Sequence, residues 1–477
     1  MASTIQMEAL RWGIPLEEVK TLGQRFQKFF ERFRGKMRTK TRDTSQYGYH
    51  YISGLLRMEA HRNYASIARE AGVGEQNMQH FMSQSPWDGG GVIEQVQEEV
   101  KAHPAFAKAM LVLDESAEEK RGEKSAGSGR QHNGRLGKIE MSQVGVFAAL
   151  VTPQAWVWVD GELYVPEAWF KEEKEELRRR VGIPEERHFQ TKPELAWQLV
   201  KRLQERGLPF VAVAMDELYG RNQALRRRLQ KAGFEYYADV PKDTRVYLEK
   251  PQIRTRKGKG KRGRRMAPGR AYQVRQLAHR GCGAWHRLTV RTVERGVLVT
   301  DFKRCRVWVM YEDGPRQEWL LIRRDGRRYT YALSNAAPDL PLETMAWRKT
   351  HRYFIERSNE DAKSELGWDE FQALKYRGWE HHLALTILAS WFIAETRLDW
   401  MDRIQRDPAL LETFQTDILP MLSMRNVRTL FQAAMPRRQL SPEEAVELVI
   451  QHLVNRTRSR RSRLKKQQLR EASLPPI

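Results

Sequence analysis

Cysteine is scarce in this 477-residue chain: Cys282 and Cys305 are the two it has. Two thiols cannot build a disulfide framework and are too few for a Cys-type zinc site, so the chain is expected in a reducing cytoplasm. Long apolar runs are missing as well. No uninterrupted stretch reaches the ~18 residues of a membrane span, and the opening MASTIQMEALRWG lacks the apolar segment of a secretory signal. Secreted and membrane-spanning classes are excluded on these grounds, and no membrane partner is expected. Acidic charge is in deficit: 83 Lys and Arg face 60 Asp and Glu, a net charge of +23. With 40% hydrophobic residues the chain is nonetheless globular and long enough for several domains.

The excess of cations exceeds what solubility requires and points to a polyanion, above all nucleic acid, because each Lys or Arg that meets a phosphate releases condensed counterions. Its distribution sharpens the point. Residues 254–270 (RTRKGKGKRGRRMAPGR) carry nine basic side chains and no acidic one, and 456–470 (RTRSRRSRLKKQQLR) carry eight. The first is Gly-rich and predicts a mobile loop; the second predicts a solvated helix or tail.

Along the chain, residues 1–105 read as helical. Within Tyr64–Trp87, Ile67 and Ala71 fall on one helix, Gly72 and Gly74 make a turn, and Met78, Phe81 and Met82 fall on the next. That is the pattern of a helix-turn-helix, and equally of an ordinary αα-hairpin. From Ala109 the period shortens: MLVL (110–113), VGVFAALV (144–151), 155–159, FVAVAM (210–215) and 236–240 predict strands, with helices near 167–181, 193–206 and 221–232. This predicts an α/β fold with a mixed sheet covered by helices. Residues 243–343 break the rhythm with β-branched and aromatic residues among Arg and Gly and predict a β-rich insertion. Helices resume through His351–Leu366, closed by Gly367, and through Trp379–Leu398, with a helical, basic remainder.

Two acids stand directly at strand ends: Asp114 in MLVLDES and Asp216 in VAVAMDELYG. The carboxyl ends of strands line the crevice of an open α/β sheet, although an acid there also serves as a turn or helix cap. A third group is helical. Arg352, Glu356 and Lys363 share one helix face over about 16 Å, either as a solvated ion pair or as a metal carboxylate flanked by phosphate-gripping cations. Two aspartates and a glutamate form an all-oxygen set suited to Mg²⁺, with Mn²⁺ able to substitute. A pair of such ions ~4 Å apart supports in-line phosphoryl displacement.

These residues resemble the DDE transposases of bacterial insertion sequences, and within them the cut-and-paste superfamily whose third acid lies in a Y-x2-R-x3-E-x6-K signature. The matching stretches are 111–147, LYVPEAWF (163–170), 189–220, RYFIERSNEDAKSELGWDEFQALKYRGWEHHLAL (352–385) and the N-terminal GLLRMEAHRNYASIAREAG. The resemblance implies a ribonuclease H-like core interrupted by the β-rich insertion domain. The implied organisation is a helical DNA-binding domain over 1–105, core over 106–242, insertion over 243–343, core again over 344–400 and a basic C-terminal region over 401–477. It implies Asp114, Asp216 and Glu356 as catalytic metal ligands for two Mg²⁺ ions, and Arg352 and Lys363 as phosphate contacts. The signature tyrosine is absent, its position holding Lys349, and Glu360 is a rival third acid with the wrong offsets.

Members of that superfamily flip a base onto an insertion-domain aromatic, for which Trp285, Trp308 and Trp319 are candidates, though tryptophans in a β domain are commonly core. Lys120, Arg121, Lys124, Arg130 and Lys138 near the first acid, and Arg262, Arg264 and Arg265 in the basic run, are candidate DNA contacts. His132, His188 and His382 are expected to be structural or DNA contacts. The partners implied are double-stranded DNA, at element ends and target, and a second copy of the chain when two ends are synapsed, in a bacterial cytoplasm at the nucleoid. Two alternatives stand beside a transposase: a transposase-derived DNA-binding protein without strand transfer, and a ribonuclease H-like nuclease of repair or defence.

Overall fold

A computed structural model describes residues 14–472 apart from 121, 134–136, 253, 259–260, 267–268, 294–295, 405–421 and 438–440. The chain divides into two compact units, Met1–Met435 and Pro436–Ile477.

The first unit opens with six helices: α1 (Leu16–Lys20), α2 (Leu22–Phe33), α3 (Ser45–Arg57), α4 (Tyr64–Ala71), α5 (Glu75–Ser83) and α6 (Gly89–Ala102). Phe26, Phe29, Phe30 and Phe33 recur at helical spacing on α2 and are all buried. Asn63 caps α4 by accepting from the Ser66 amide, and Gly72 ends it in the left-handed region with φ 67°, where only glycine is unstrained. The α4–turn–α5 pair expected over 64–87 is therefore present, with Ile67, Met78, Phe81 and Met82 buried. Arg62, just ahead of this pair, reaches across to the far end of the chain. Its Nη1 donates to the Glu365 carbonyl (2.7 Å), Nη2 to the Ser364 carbonyl (3.0 Å), and Nε to Glu370 (3.0 Å).

The strands are β1 (Ala109–Glu119), β2 (Gly129–Asn133), β3 (Lys138–Val151), β4 (Trp156–Tyr164), β5 (Phe210–Met215), β6 (Tyr236–Asp239), β7 (Arg245–Tyr247), β8 (Arg254–Gly258), β9 (Lys261–Met266), β10 (Ala271–Gln273), β11 (Trp285–Val293), β12 (Gly296–Tyr311), β13 (Gly314–Asp325) and β14 (Arg328–Ser334). Between β4 and β5 run α7 (Glu175–Val181) and α8 (Lys192–Glu205), and between β5 and β6 run α9 (Glu217–Gly220) and α10 (Gln223–Lys231); α11 (Val274–Leu277) follows β10. The chain then forms α12 (Leu342–Thr350), α13 (Tyr353–Ser364), α14 (Tyr376–Arg403) and α15 (Met424–Ala434). Residues of the second unit form α16 (Pro442–Ala472), which contains the basic 456–470 run.

One mixed sheet organises the first unit, in the order β10-β7-β12-β13-β14-β6-β5-β1-β3-β2, with β4 on β3 and β11 on β12. At its centre β1, β5 and β6 run parallel. MLVL and AVAM (212–215) are buried there, as strands covered on both faces must be. The β-rich segment 243–343 has a small apolar core of its own around Val246, Val274, Val307, Leu320 and Leu333; β8 and β9 pair with each other in a separate two-stranded sheet, and β14 pairs antiparallel with β6, Leu333 opposite Ala238. Backbone pairing continues because β6 would otherwise be an open edge.

Three expectations need correction. The Gly-rich 254–270 stretch is a hairpin, β8 against β9, rather than a loop; the Arg262, Arg264 and Arg265 side chains on β9 lie outside the described set. Cys282 and Cys305 are disulfide-bonded, with Cα atoms 5.5 Å apart, because the Trp285–Lys303 pairing of β11 with β12 brings them together across 23 residues. The stretch near 167–181 begins as two short 3₁₀ turns and is α-helical only from Glu175.

Gly220 ends α9 against the β6 terminus: a Cβ there would meet the Asp239 carbonyl oxygen at 1.9 Å. Neither partner is a side chain that can swing away, so Gly220→Ala is expected to destabilise the fold by about 1–3 kcal/mol, read as a lower urea midpoint at unchanged m-value.

Candidate active site

Strand register brings the two aspartates together. β1 and β5 are parallel with Leu113 opposite Met215, which sets Asp114 beside Asp216, the residue after β5; Asp114 is not at a strand end as the sequence predicted, because β1 stays paired with β3 as far as Glu119. Asp216 also caps α9, its Oδ1 accepting from the Leu218 (2.9 Å) and Tyr219 (3.2 Å) amides. The cap and the crevice acid are thus one residue, since the cap engages Oδ1 alone. Asp114 Oδ1 accepts from the Glu115 amide (2.9 Å) and Oδ2 from Asn359 Nδ2 (3.2 Å). Asn359 is itself held by Trp158 Nε1 at 3.0 Å. Burial, reinforced by the Asp216 charge, pushes the Asp114 carboxyl up to about 7, and burial raises Asp216 also.

A third strand adds an acid that the sequence reading passed over. Ala238 of β6 lies opposite Met215, which places Asp239 beside Asp216 in the same row. Asp239 binds Lys349 Nζ at 2.8 Å and Arg352 Nε at 3.1 Å. Its signal was available: it ends a short strand, YYAD, much as Asp216 follows FVAVAM.

Arg352 joins these acids to the helix. It stands just before α13, and its Nη2 donates to Glu356 Oε1 at 2.6 Å. Burial works against its charge, but Asp239, Glu356, Asp114 and Asp216 outweigh that effect and hold its pKa above the usual value. Glu356 is half exposed, at 50% of its side-chain surface. The charges acting most on Asp114 are those of Asp216, Arg352 and Glu115. The structure therefore sets Asp114 and Asp216 side by side and ties Glu356 to them through Arg352. Glu360, the rival acid, is exposed and paired with Arg357.

Other residues singled out in the sequence divide sharply. Lys363 Nζ donates to the Ala117 carbonyl of β1 at 3.0 Å, keeping α13 against that strand. Lys120 is no groove-lining residue: it is buried, and its Nζ donates to the Phe371 carbonyl at 2.9 Å. It lies next to Glu118, a second buried acid of β1 pushed up to about 7 by burial. Lys124, Arg130 and Lys138 are exposed, Lys138 pairing with Glu140 at 2.6 Å; Arg121 and the His132 side chain lie outside the described set.

Trp285, Trp308 and Trp319 are all half-buried rather than core, and each ring carries a cation: Arg324 at 4.6 Å, Lys250 at 5.4 Å, and both Arg304 and Arg306 at 4.6 Å. His382 is a core residue, with Nδ1 at 3.0 Å from the Tyr51 hydroxyl and its ring stacked on Trp368 and Phe371; His188 is exposed.

A sequence profile of the DDE superfamily endonucleases matches residues 28–297, more than half of the chain. The chain belongs to that superfamily. It is also similar to a protein of Microchaete diplosiphon named "Probable transposase for insertion sequence element IS701", 30% identical over 179 residues, which cover 35% of this chain and 40% of that protein. The match thus spans under half the length of the curated relative. Among the described residues no helix is long and apolar enough to cross a membrane.

DDE endonucleases generally use divalent metals. The donor chemistry here fits such an ion in part. Asp114 and Asp216 are hard oxygen ligands whose burial and mutual repulsion a cation would relieve. Among the described residues, however, no group of three His, Cys, Asp or Glu is disposed to hold a metal, and Glu356 is engaged by Arg352.

Two outcomes follow. Asp114 titrates near 3.9 when unfolded and at about 7 when folded. Between these values the folded chain keeps a proton that the unfolded chain has lost, so without divalent cations stability falls as pH rises from about 4 to 7. Asp114→Asn is therefore expected to be more stable than wild type in EDTA at pH 8, on the order of a few kcal/mol, with the gap closing toward pH 4; thermal melts across that range check it. Asp239→Asn leaves the buried Lys349 without its carboxylate and is expected to cost about 3 kcal/mol or more, read in urea unfolding.

Proposed function

We propose that the chain is a DNA transposase of the cut-and-paste kind, acting on the ends of an insertion sequence. The observation that carries this reading is Asp114 and Asp216 side by side on adjacent parallel strands, under the charge of Arg352, which itself bonds Glu356. Asp114, Asp216 and Glu356 would hold Mg²⁺, or Mn²⁺ in its place, with Arg352 turned from the Glu356 carboxylate to phosphate, and the ions would supply Lewis-acid stabilisation of an in-line phosphoryl displacement.

The protein's own groups orient that reaction. Trp158 and Asn359 fix the Asp114 carboxylate, and the α9 cap fixes Asp216. Arg352 and Lys363 hold the phosphates flanking the scissile bond. Cleavage adds a water oxygen to phosphorus and releases a 3′-hydroxyl; joining repeats the displacement with that hydroxyl as the nucleophile on target DNA. Synapsis of two ends calls for two copies of the chain. Arg130 and Lys138, exposed on the β2–β3 pair at the edge of the sheet, would contact the duplex away from the acids.

A second reading, a DNA-binding relative without strand transfer, draws on the Glu356–Arg352 pair, which leaves two acids rather than three together. Incubation of the purified chain with labelled DNA carrying the sequences that flank its reading frame separates the two. Mg²⁺-dependent nicks at fixed positions are expected, lost by a factor of 100 or more in Asp114→Ala, Asp216→Ala and Glu356→Gln, in line with loss of a group acting in the transition state. Cleavage by Asp114→Ala at the wild-type rate overturns the assignment.

A further inference from the structure

The 243–343 segment sends one arginine to the helix that bears Glu356. β11 is an outer strand, paired with β12 alone. Its register slips by one residue at Val290: Thr289 lies opposite Val299, yet Arg291 lies opposite Leu298. A bulge of this kind re-aims the side chain that follows it, and such bulges gather at sheet edges beside active sites. Val290 itself is buried, which pins the slip. Arg291 is thereby carried onto the start of α13. Its guanidinium carbon stands 3.9 Å from the centre of the Tyr353 ring and 5.0 Å from that of Phe354. Phe354 is fixed in turn by stacking on Trp156 at 5.0 Å. Tyr353 and Glu356 are three positions apart on α13 and so are surface neighbours, and both are partly open to solvent.

The other cations around the acids are engaged. Arg352 bonds Asp239 and Glu356, Lys349 bonds Asp239, and Lys363 gives a donor to the Ala117 carbonyl. Arg323, whose charge also reaches Arg291, is paired with Asp325 at 2.7 Å. Arg291 differs from all of these. It has no carboxylate partner among the described residues, and its Nε is buried without a hydrogen bond. Burial lowers its pKa and Arg323 adds to the shift, while Glu356 works in the opposite direction. A buried donor left unpaired is destabilising until an acceptor arrives, and an anion is the acceptor that also suits the charge. A guanidinium seated on a ring at this distance is held in place before any ligand binds. Its fork of N–H donors matches two oxygens of one phosphate.

We infer that Arg291 grips a backbone phosphate of the DNA strand held at the acids, on the Glu356 side, as a substrate-binding residue contributed by the 243–343 segment. The inference rests on the proposed cleavage of DNA, and the two fail in different ways.

The test uses the full chain and duplexes carrying the DNA that flanks its reading frame. In each duplex one phosphate near the cleavage position is replaced by an uncharged methylphosphonate, and single-turnover cleavage in Mg²⁺ and binding in EDTA are both measured. Wild type is expected to lose about ten- to a hundredfold at the phosphate that Arg291 grips. Arg291→Met keeps an apolar stem against Tyr353 and removes the fork. It should show that same loss on the unmodified duplex and no further loss from the methylphosphonate at that one position, the non-additivity of a direct contact. At other positions it should remain as sensitive as wild type. Arg291→Lys keeps the charge without the fork and should recover part of the loss. Urea midpoints of both variants should stay close to wild type, since no ion pair is removed. The inference is overturned if Arg291→Met cleaves and binds as wild type does, or if every methylphosphonate affects it as much as wild type, the pattern of a residue that merely docks the segment on α13. A wild-type chain that neither binds nor cleaves any of these duplexes overturns the proposed function and this inference together.

Discussion

A single guanidinium standing among four carboxylates is the constraint around which the centre of this molecule is arranged. β1, β5 and β6 each deliver an acid to one end of the sheet, and α13 brings a fourth. Such a concentration of like charge beneath a partly dry surface cannot persist without a cation. Arg352 supplies it. One nitrogen bonds Asp239, another bonds Glu356, and the charge acts on Asp114 and Asp216. Lys349, at the end of α12, shares Asp239 with Arg352, while Asn359 and Lys363 bind α13 to β1 farther along. A basic chain that keeps a small acidic pocket fits the chemistry of a polyanion held outside and cations held within.

The parts of this arrangement visible in the sequence were those set by local pattern. MLVLDES and VAVAMDELYG announce a buried strand followed by an acid, and the Arg352–Glu356–Lys363 spacing announces one helix face. The α4–Gly72–α5 pair was equally legible, because a capping residue, a left-handed glycine and two apolar stripes all fall within some twenty positions. What stayed hidden depends on pairing between distant segments. Asp239 gains meaning from lying beside β5, and Lys120 looked like a groove cation until the strand placed it under Phe371. The same holds for Cys282 and Cys305, joined by the registry of β11 on β12, and for β14, which pairs with β6 of the central sheet.

That pairing changes how the 243–343 segment is to be regarded. Its own apolar cluster would let it pass for an independent module. Its backbone hydrogen bonds nevertheless close the flank of the strand that ends in Asp239. The segment therefore supports the acid row directly, and the half-buried tryptophans with cations on their rings stand on a platform continuous with it.

Arg62 gives the molecule a mechanical property that neither region it joins has alone. It immediately precedes the Asn63 cap of α4, and its guanidinium grips the carbonyls at the last turn of α13 together with Glu370. The α4–α5 pair and the helix bearing Glu356 thus share a rivet, and a displacement of one is opposed by the hydrogen bonds at the tail of the other.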